Sequence, residues 1–325
     1  MRLNTRRLLF LLLAGMAASC SSNPYAATNR AHKKQVKAHT QALRTFPALN
    51  PEEETLQQGN YWVGTTNFSM RRPNYVVIHH TAQNSTEQTL KTFTEPATQV
   101  SAHYVIGKDG AVYHMLHDYM RAWHAGSGKW GNNTDLNSSS IGIELDNNGA
   151  EPFTGAQINS LLKVLAILKK THHIPTANFI GHSDIAPVRK EDPNPTFPWK
   201  LLAENGYGLW YDEGVLDDYF LHAATLAPDT TVTVLTPDTM AIALAPDSTA
   251  TVDSMAILDS ATVVVPEFYP AHFNPQEALR IIGYDVQDKE AAIRAFKLHF
   301  IQTDITPVLT EQDKIVLYNL YKKYL

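Results

Sequence analysis

His79, His182 and Asp192 are the residues of this chain whose types and spacing could hold a metal. His79 ends the run Tyr75-Val76-Val77-Ile78-His79, and His182 follows Phe179-Ile180-Gly181. Both runs are short and apolar, with Pro73 ahead of the first, and read as strands buried in a sheet. Adjacent strands bring their tips together, so histidines far apart in sequence can meet. Asp192 lies ten residues past His182, on a loop braced by Pro187, Pro193, Pro195 and Pro198 that can fold back. Catalytic zinc takes three protein ligands and keeps one place for water, and two histidines with a carboxylate are a usable set. Taken alone, a histidine closing a buried strand is more often a hydrogen-bonded structural residue. His80, His103, His124, His172 and His173 answer the same description, and no His-x-x-x-His spacing marks the site.

Two further residues could serve such a metal. In Ser140-Ile141-Gly142-Ile143-Glu144-Leu145 the isoleucines and leucine fall on one face, and Gly142 and Glu144 on the other. A carboxylate aimed from a strand at a water can act as general base and then as proton donor. An ordinary solvent-face glutamate fits the pattern equally well. Lys190, two residues before Asp192, would place a cation where an oxyanion develops; without its context it is a surface lysine.

The elements that must position these residues alternate between strand and helix over 61–215, which predicts a mixed α/β sheet flanked by helices. Ser85 with Gln88, and Thr154 with Gln157, are capping signals for two helices, the second carrying Ile158, Leu161, Leu162, Leu165 and Leu168 on one face. Ser101–Ile106 and Ala111–Leu116 flank the turn at Gly107–Gly110 as a hairpin, and Trp123–Thr134 reads as a surface loop. A short helix is expected near Trp199–Glu204. Residues 216–266 repeat Leu-x-Pro-Asp-Thr/Ser at a period of nine and read as an extended spacer, because a proline in each unit prevents a buried core. Three amphipathic helices over 267–325 form a small module of a size that can fold alone.

The ends and the composition set the compartment. Arg2, Arg6 and Arg7 precede the apolar run Leu8–Ala14 and a small-residue stretch reaching Cys20, which is a signal peptide over 1–19 in form. Ala17-Ala18-Ser19-Cys20 resembles a bacterial lipoprotein cleavage site, with Ala17 where leucine is usual, so Cys20 is the expected lipid attachment site. Cleavage nearby without lipidation is the alternative. Residues 20–60 read as a tether, with one short helix near Lys34–Leu43. Cys20 is the sole cysteine, which excludes an internal disulfide and a cysteine-built metal site. A net charge of −5, falling to −8 without the three leader arginines, gives no case for a nucleic-acid partner.

Val76-Val77-Ile78-His79-His80-Thr81, Ser101-Ala102-His103-Tyr104-Val105-Ile106, Ala122-Trp123-His124-Ala125-Gly126, Ile141-Gly142-Ile143-Glu144 and Gly181-His182-Ser183-Asp184-Ile185-Ala186-Pro187 through Arg189-Lys190-Glu191-Asp192-Pro193 occur in that order. Together they resemble the zinc-dependent N-acetylmuramoyl-L-alanine amidases of the type 2 family, whose fold is shared by phage lysozyme-type amidases and peptidoglycan recognition proteins. The resemblance implies one zinc ion on His79, His182 and Asp192, with Glu144 as base and Lys190 as oxyanion stabiliser. It implies hydrolysis of the amide between N-acetylmuramic acid, or its anhydro form, and L-alanine, with Trp123, His124 and His103 as substrate contacts. The tail, through Ala295-Phe296-Lys297-Leu298-His299-Phe300, resembles the helical peptidoglycan-binding module of outer-membrane lipoprotein members; the repeat spacer departs from that pattern. A monomeric lipoprotein, anchored in the outer membrane and facing the periplasm, is therefore expected. The rival readings are a non-catalytic peptidoglycan-binding protein of the same fold, opposed by the complete ligand set, and a peptidase cutting within the stem peptide, for which no His-Glu-x-x-His helix exists.

Overall fold

A computed structural model of the chain describes residues 23–44, 65, 67, 69–225 and 268–325. The leader, Cys20 and most of the repeat spacer lie outside these residues. The chain divides into a unit ending at Ser69 and a unit from Met70 to Leu325. In the first, helix α1 (Ala26–Arg44) is longer than the short helix expected there, and none of its residues is buried.

The second unit opens with β1 (Tyr75–His80), followed by α2 (Thr86–Thr94), β2 (Tyr104–Ile106) and β3 (Val112–His114). The short helix α3 (Leu136–Ser139) runs directly into β4 (Ser140–Leu145), and α4 (Gly155–His172) leads to β5 (Phe179–Gly181) and α5 (His182–Ile185). Ser85 Oγ accepts from Gln88 N, but the Gln88 side chain reaches back to Asn84 N rather than to the cap itself. At α4 the capping box is complete: Thr154 Oγ1 accepts from Gln157 N, and Gln157 Oε1 accepts from Thr154 N.

The sheet runs β3-β2-β4-β1-β5, parallel throughout except for the edge strand β3. Its central strands are buried on both faces, which is why they read as near-continuous apolar runs. Alternation along β1 separates the faces. Val76 and Ile78 join Ile141, Ile143 and Leu145 against Ile158, Leu161, Leu165 and Leu168 of α4. Val77 and Ile180 face the other way, the face that also carries His79.

What covers that second face corrects the expected domain plan. Beyond α6 (Trp199–Glu204), the chain forms α7 (Gly214–Thr225), so the spacer expected from 216 is helical at its start. After the spacer come α8 (Pro275–Ile282), α9 (Lys289–Phe300) and α10 (Glu311–Tyr324). These three helices are not a separate module. Ala278, Leu279, Ile282, Phe296, Phe300, Val316, Leu317 and Leu320 share one core with Val77, Ala125, Trp130, Leu136, Ile180 and Ile185. Each large apolar side chain buried this way contributes roughly 1.5–3 kcal/mol, so the helices hold as a layer of the fold. The Trp123–Thr134 loop is likewise not a plain surface loop. Trp130 is buried and stacks edge-on against Tyr284, and Gly283 leaves it room: a Cβ there would stand 2.4 Å from the indole.

Candidate active site

The sheet mounts the first histidine. His79 sits at the C-terminal end of central strand β1, level with Glu144 on the neighbouring strand β4. His182 is the first residue of α5, immediately past β5, which pairs with β1 on its other side. The proline-braced loop does fold back: Ser183 N donates to Asp192 O at 2.8 Å. The result is a triangle. His79 Nδ1 and His182 Nδ1 lie 2.9 Å apart, and Asp192 Oδ2 is 3.2 Å and 3.1 Å from them.

Hydrogen bonds elsewhere on the two rings decide where their protons are. Ser140 Oγ donates to Leu136 O, so it must accept from His124 Nε2, 3.1 Å away. That leaves His124 Nδ1 as acceptor and His79 Nε2–H as donor across 3.0 Å. His182 Nε2 lies 3.4 Å from Ala125 O, a carbonyl that can only accept, while the Arg189 guanidinium 3.5 Å from that nitrogen already donates to the same carbonyl. On this assignment both Nδ1 atoms carry bare lone pairs. Burial, with His182 alongside, lowers the His79 pKa to about 4 and keeps its ring neutral. Two bare imidazole nitrogens and a carboxylate oxygen at about 3 Å repel unless a cation lies among them. Donors arranged tetrahedrally at about 2.0–2.1 Å from a metal stand roughly 3.3 Å apart. The three residues fit a small divalent cation, and no other such group of three occurs among the described residues.

Glu144 stands beside this triangle. Its Oε1 is 4.0 Å from His79 Nδ1, and its buried Oε2 meets no hydrogen-bond partner among the described residues. Burial and the charge of Asp192 push the carboxyl pKa up to about 8, against the opposing pull of Lys190. A cation at the triangle would lower it again. An unpartnered buried carboxyl beside a metal-ligand set is poised to exchange protons with a water or substrate.

Residues 69–195 match the family model described as N-acetylmuramoyl-L-alanine amidase. The curated amidase AmiD of Escherichia coli (strain K12) is 37% identical over 177 residues, spanning 49% of this chain and 63% of that relative. The chain thus spans less than two thirds of that relative's length. Among solved structures, the E. coli AmiD complex with anhydro-N-acetylmuramic acid-L-Ala-D-γ-Glu-L-Lys superposes with a TM-score of 0.58 at 26% identity, covering 83% of this chain and 97% of that one. AmpDh3 of Pseudomonas aeruginosa bound to anhydromuramic pentapeptide gives 0.59 at 26% identity, with 83% and 99% covered. Both alignments cover more of the chain than the family domain alone.

A cleft of about 510 Å³ lies elsewhere, where Lys129 and Asn132 meet α8; the one at the triangle holds about 470 Å³. His182, His124, Trp123, Arg189 and Lys190 border it. Lys190 is close enough for its charge to act on Glu144 and His79. Trp123 is half-exposed at the rim.

The two histidines expected beside Trp123 are both buried. His124 borders the cleft, but it is buried and its ring is committed to orienting His79. Gly142 makes this possible, since a Cβ there would stand 2.4 Å from the His124 ring. His103 is fully buried: Nδ1 accepts from Gly142 N, and Nε2 lies against Met120 O and the Arg71 guanidinium. It braces the sheet from inside and presents no surface to the cleft. β2 begins at Tyr104, so the expected strand phase does not extend to His103.

Asn137 and Arg189 are site residues that the motifs did not single out. Asn137 Oδ1 accepts from both His124 N and Ala125 N at 2.9 Å and so sets the loop carrying the orienting imidazole. The Arg189 guanidinium donates to Ala125 O beside His182. Only the adjacency of Arg189 to Lys190 signalled it; Asn137 lies in a polar run with no spacing signal.

Proposed function

We propose that the chain is a zinc-dependent N-acetylmuramoyl-L-alanine amidase, hydrolysing the amide that joins N-acetylmuramic acid or its anhydro form to the L-alanine of a stem peptide. The observation that carries this reading is the convergence of two bare imidazole nitrogens and a carboxylate oxygen beside a buried, unpartnered glutamate at a cleft. The family match and the anhydro-muramyl peptides bound by two relatives supply the substrate class.

His79, His182 and Asp192 would hold the ion. When bound, zinc supplies Lewis-acid activation of a water and of the scissile carbonyl. Glu144 takes a proton from the attacking water at its free oxygen and passes it to the departing L-alanine nitrogen. A pKa that burial raises and a cation lowers suits both halves of that exchange. The Lys190 ammonium, at the cleft wall, steadies negative charge developing on the carbonyl oxygen. His124 acts on His79 alone, holding its tautomer so that Nδ1 faces the triangle. Trp123 offers the rim of the cleft an apolar face for sugar or peptide.

Export and anchoring belong to the same reading. The leader form of residues 1–19 and the context of Cys20 support an exported lipoprotein, and the tail's resemblance to outer-membrane members favours that membrane, facing the periplasm. Mass spectrometry of anhydro-muramyl peptides and purified sacculi incubated with the zinc-loaded protein tests the activity. Release of intact stem peptides beginning at L-alanine is expected; cleavage within the stem, or no release, would contradict it.

A further inference from the structure

We infer that the end of α9, with Tyr284, is a clamp on the two metal-ligand segments, and that His299, Gln302 and Tyr284 are positioning residues for the metal site. This inference rests on the zinc reading above.

His182 and Asp192 lie on the segment after β5, outside the sheet, and each side of that segment is gripped by the same short stretch of chain. On the His182 side stands Asp184, fully buried two residues further along α5. Its carboxylate accepts three hydrogen bonds. Gly181 N donates to Oδ2 at 2.7 Å, His299 Nδ1 donates to Oδ2 at 2.7 Å, and Tyr284 Oη donates to Oδ1 at 2.8 Å. On the Asp192 side, Gln302 Nε2 donates to Pro195 O at 2.8 Å and Phe197 O at 2.6 Å. The His299 ring is fixed by stacking on Trp199, with centroids 3.8 Å apart.

Adhesion alone does not call for this arrangement. The apolar core between helices and sheet already holds them together, whereas burying a carboxylate is costly unless every oxygen is satisfied. A fold that needed only cohesion would be served by an apolar residue at 184. What three directional bonds add is geometry. They set the start of α5, and with it the direction from which His182 Nδ1 meets His79. Gln302 fixes the returning loop, and with it the position of Asp192 Oδ2. Outer residues that orient metal ligands typically change affinity 10–100-fold when removed.

The test is zinc affinity of the full chain by chelator competition, read beside thermal stability and kcat and KM. His299→Ala should weaken zinc binding about 10-fold or more. Tyr284→Phe, which keeps the ring against Trp130, and Gln302→Ala should each weaken it several-fold. His299→Asn, whose amide can restore a donor near the Nδ1 position, should recover part of the loss. Val316→Ala, in the same helical core, is the control: it should lower thermal stability while leaving zinc affinity within about twofold. If the clamp variants lose stability as Val316→Ala does but keep wild-type zinc affinity, the clamp is overturned and the zinc reading stands. If the wild-type chain takes up no zinc, both fall.

Discussion

The three residues of the proposed metal site stand on two kinds of support. His79 ends a central strand paired on both sides, so its backbone is held by the sheet ladder and its ring by His124. His182 and Asp192 stand just past a three-residue strand at the sheet's edge, and their support comes from α9 and the residues around it, more than a hundred positions further on. One ligand is thus placed by local sequence and sheet pairing, and two by a long-range contact. Cutting the proposed site out at residue 195 would loosen two of its three ligands. The C-terminal helices are half of the scaffold rather than a passenger.

The largest effect that would break this comparison is removal of the helices. Deleting residues 268–325 uncovers Val77, Ile180 and Ile185, and should abolish turnover of small soluble muropeptides as well as of sacculi, with loss of cooperative unfolding. Full turnover of the soluble substrate by the truncated chain would restore the picture of a tethered module. Next in size, Glu144→Gln should lower kcat by about 10²–10⁴-fold with zinc retained; an empty metal site in that variant would make Glu144 a ligand instead. Phe296→Ala, at the heart of the joint core, should cost about 3–5 kcal/mol of unfolding free energy in a single transition covering sheet and helices. Two separate transitions, only one of them shifted, would show the helices to be an independent unit. The smallest effect is expected at His80, on the opposite face from His79, where Nδ1 accepts from Asn194 N. His80→Ala should leave zinc affinity nearly unchanged and cost about 1–3 kcal/mol for the stranded N–H.

The same division explains what could be read from the sequence. Strands β1, β4 and β5 and the capping box at Thr154 announce themselves through short-range signals: apolar runs and a cap three residues from its partner. The face carrying Ile293, Phe296 and Phe300 showed that α9 has an apolar partner but not which one, because amphipathicity records burial and not address. Asp184 and His299 are 115 residues apart and carry no mutual signal. Helix α7 was hidden because its start, Gly214-Val215-Leu216-Asp217-Asp218, has no cap signal and merges into the proline repeats. The burial of His103 and His124 depends on the packing around Gly142, which no spacing in their motif blocks announces.

The central claim is that two bare Nδ1 atoms and Asp192 Oδ2 form one metal site. Its most direct measurement is zinc titration of the chelator-stripped full chain, with metal content determined after dialysis for the wild type and for His79→Ala, His182→Ala and Asp192→Ala. The account predicts one zinc per chain in the wild type and a large loss of retention in each variant, with the fold preserved by circular dichroism. Retention of a full equivalent by any of the three, or none by the wild type, would contradict it.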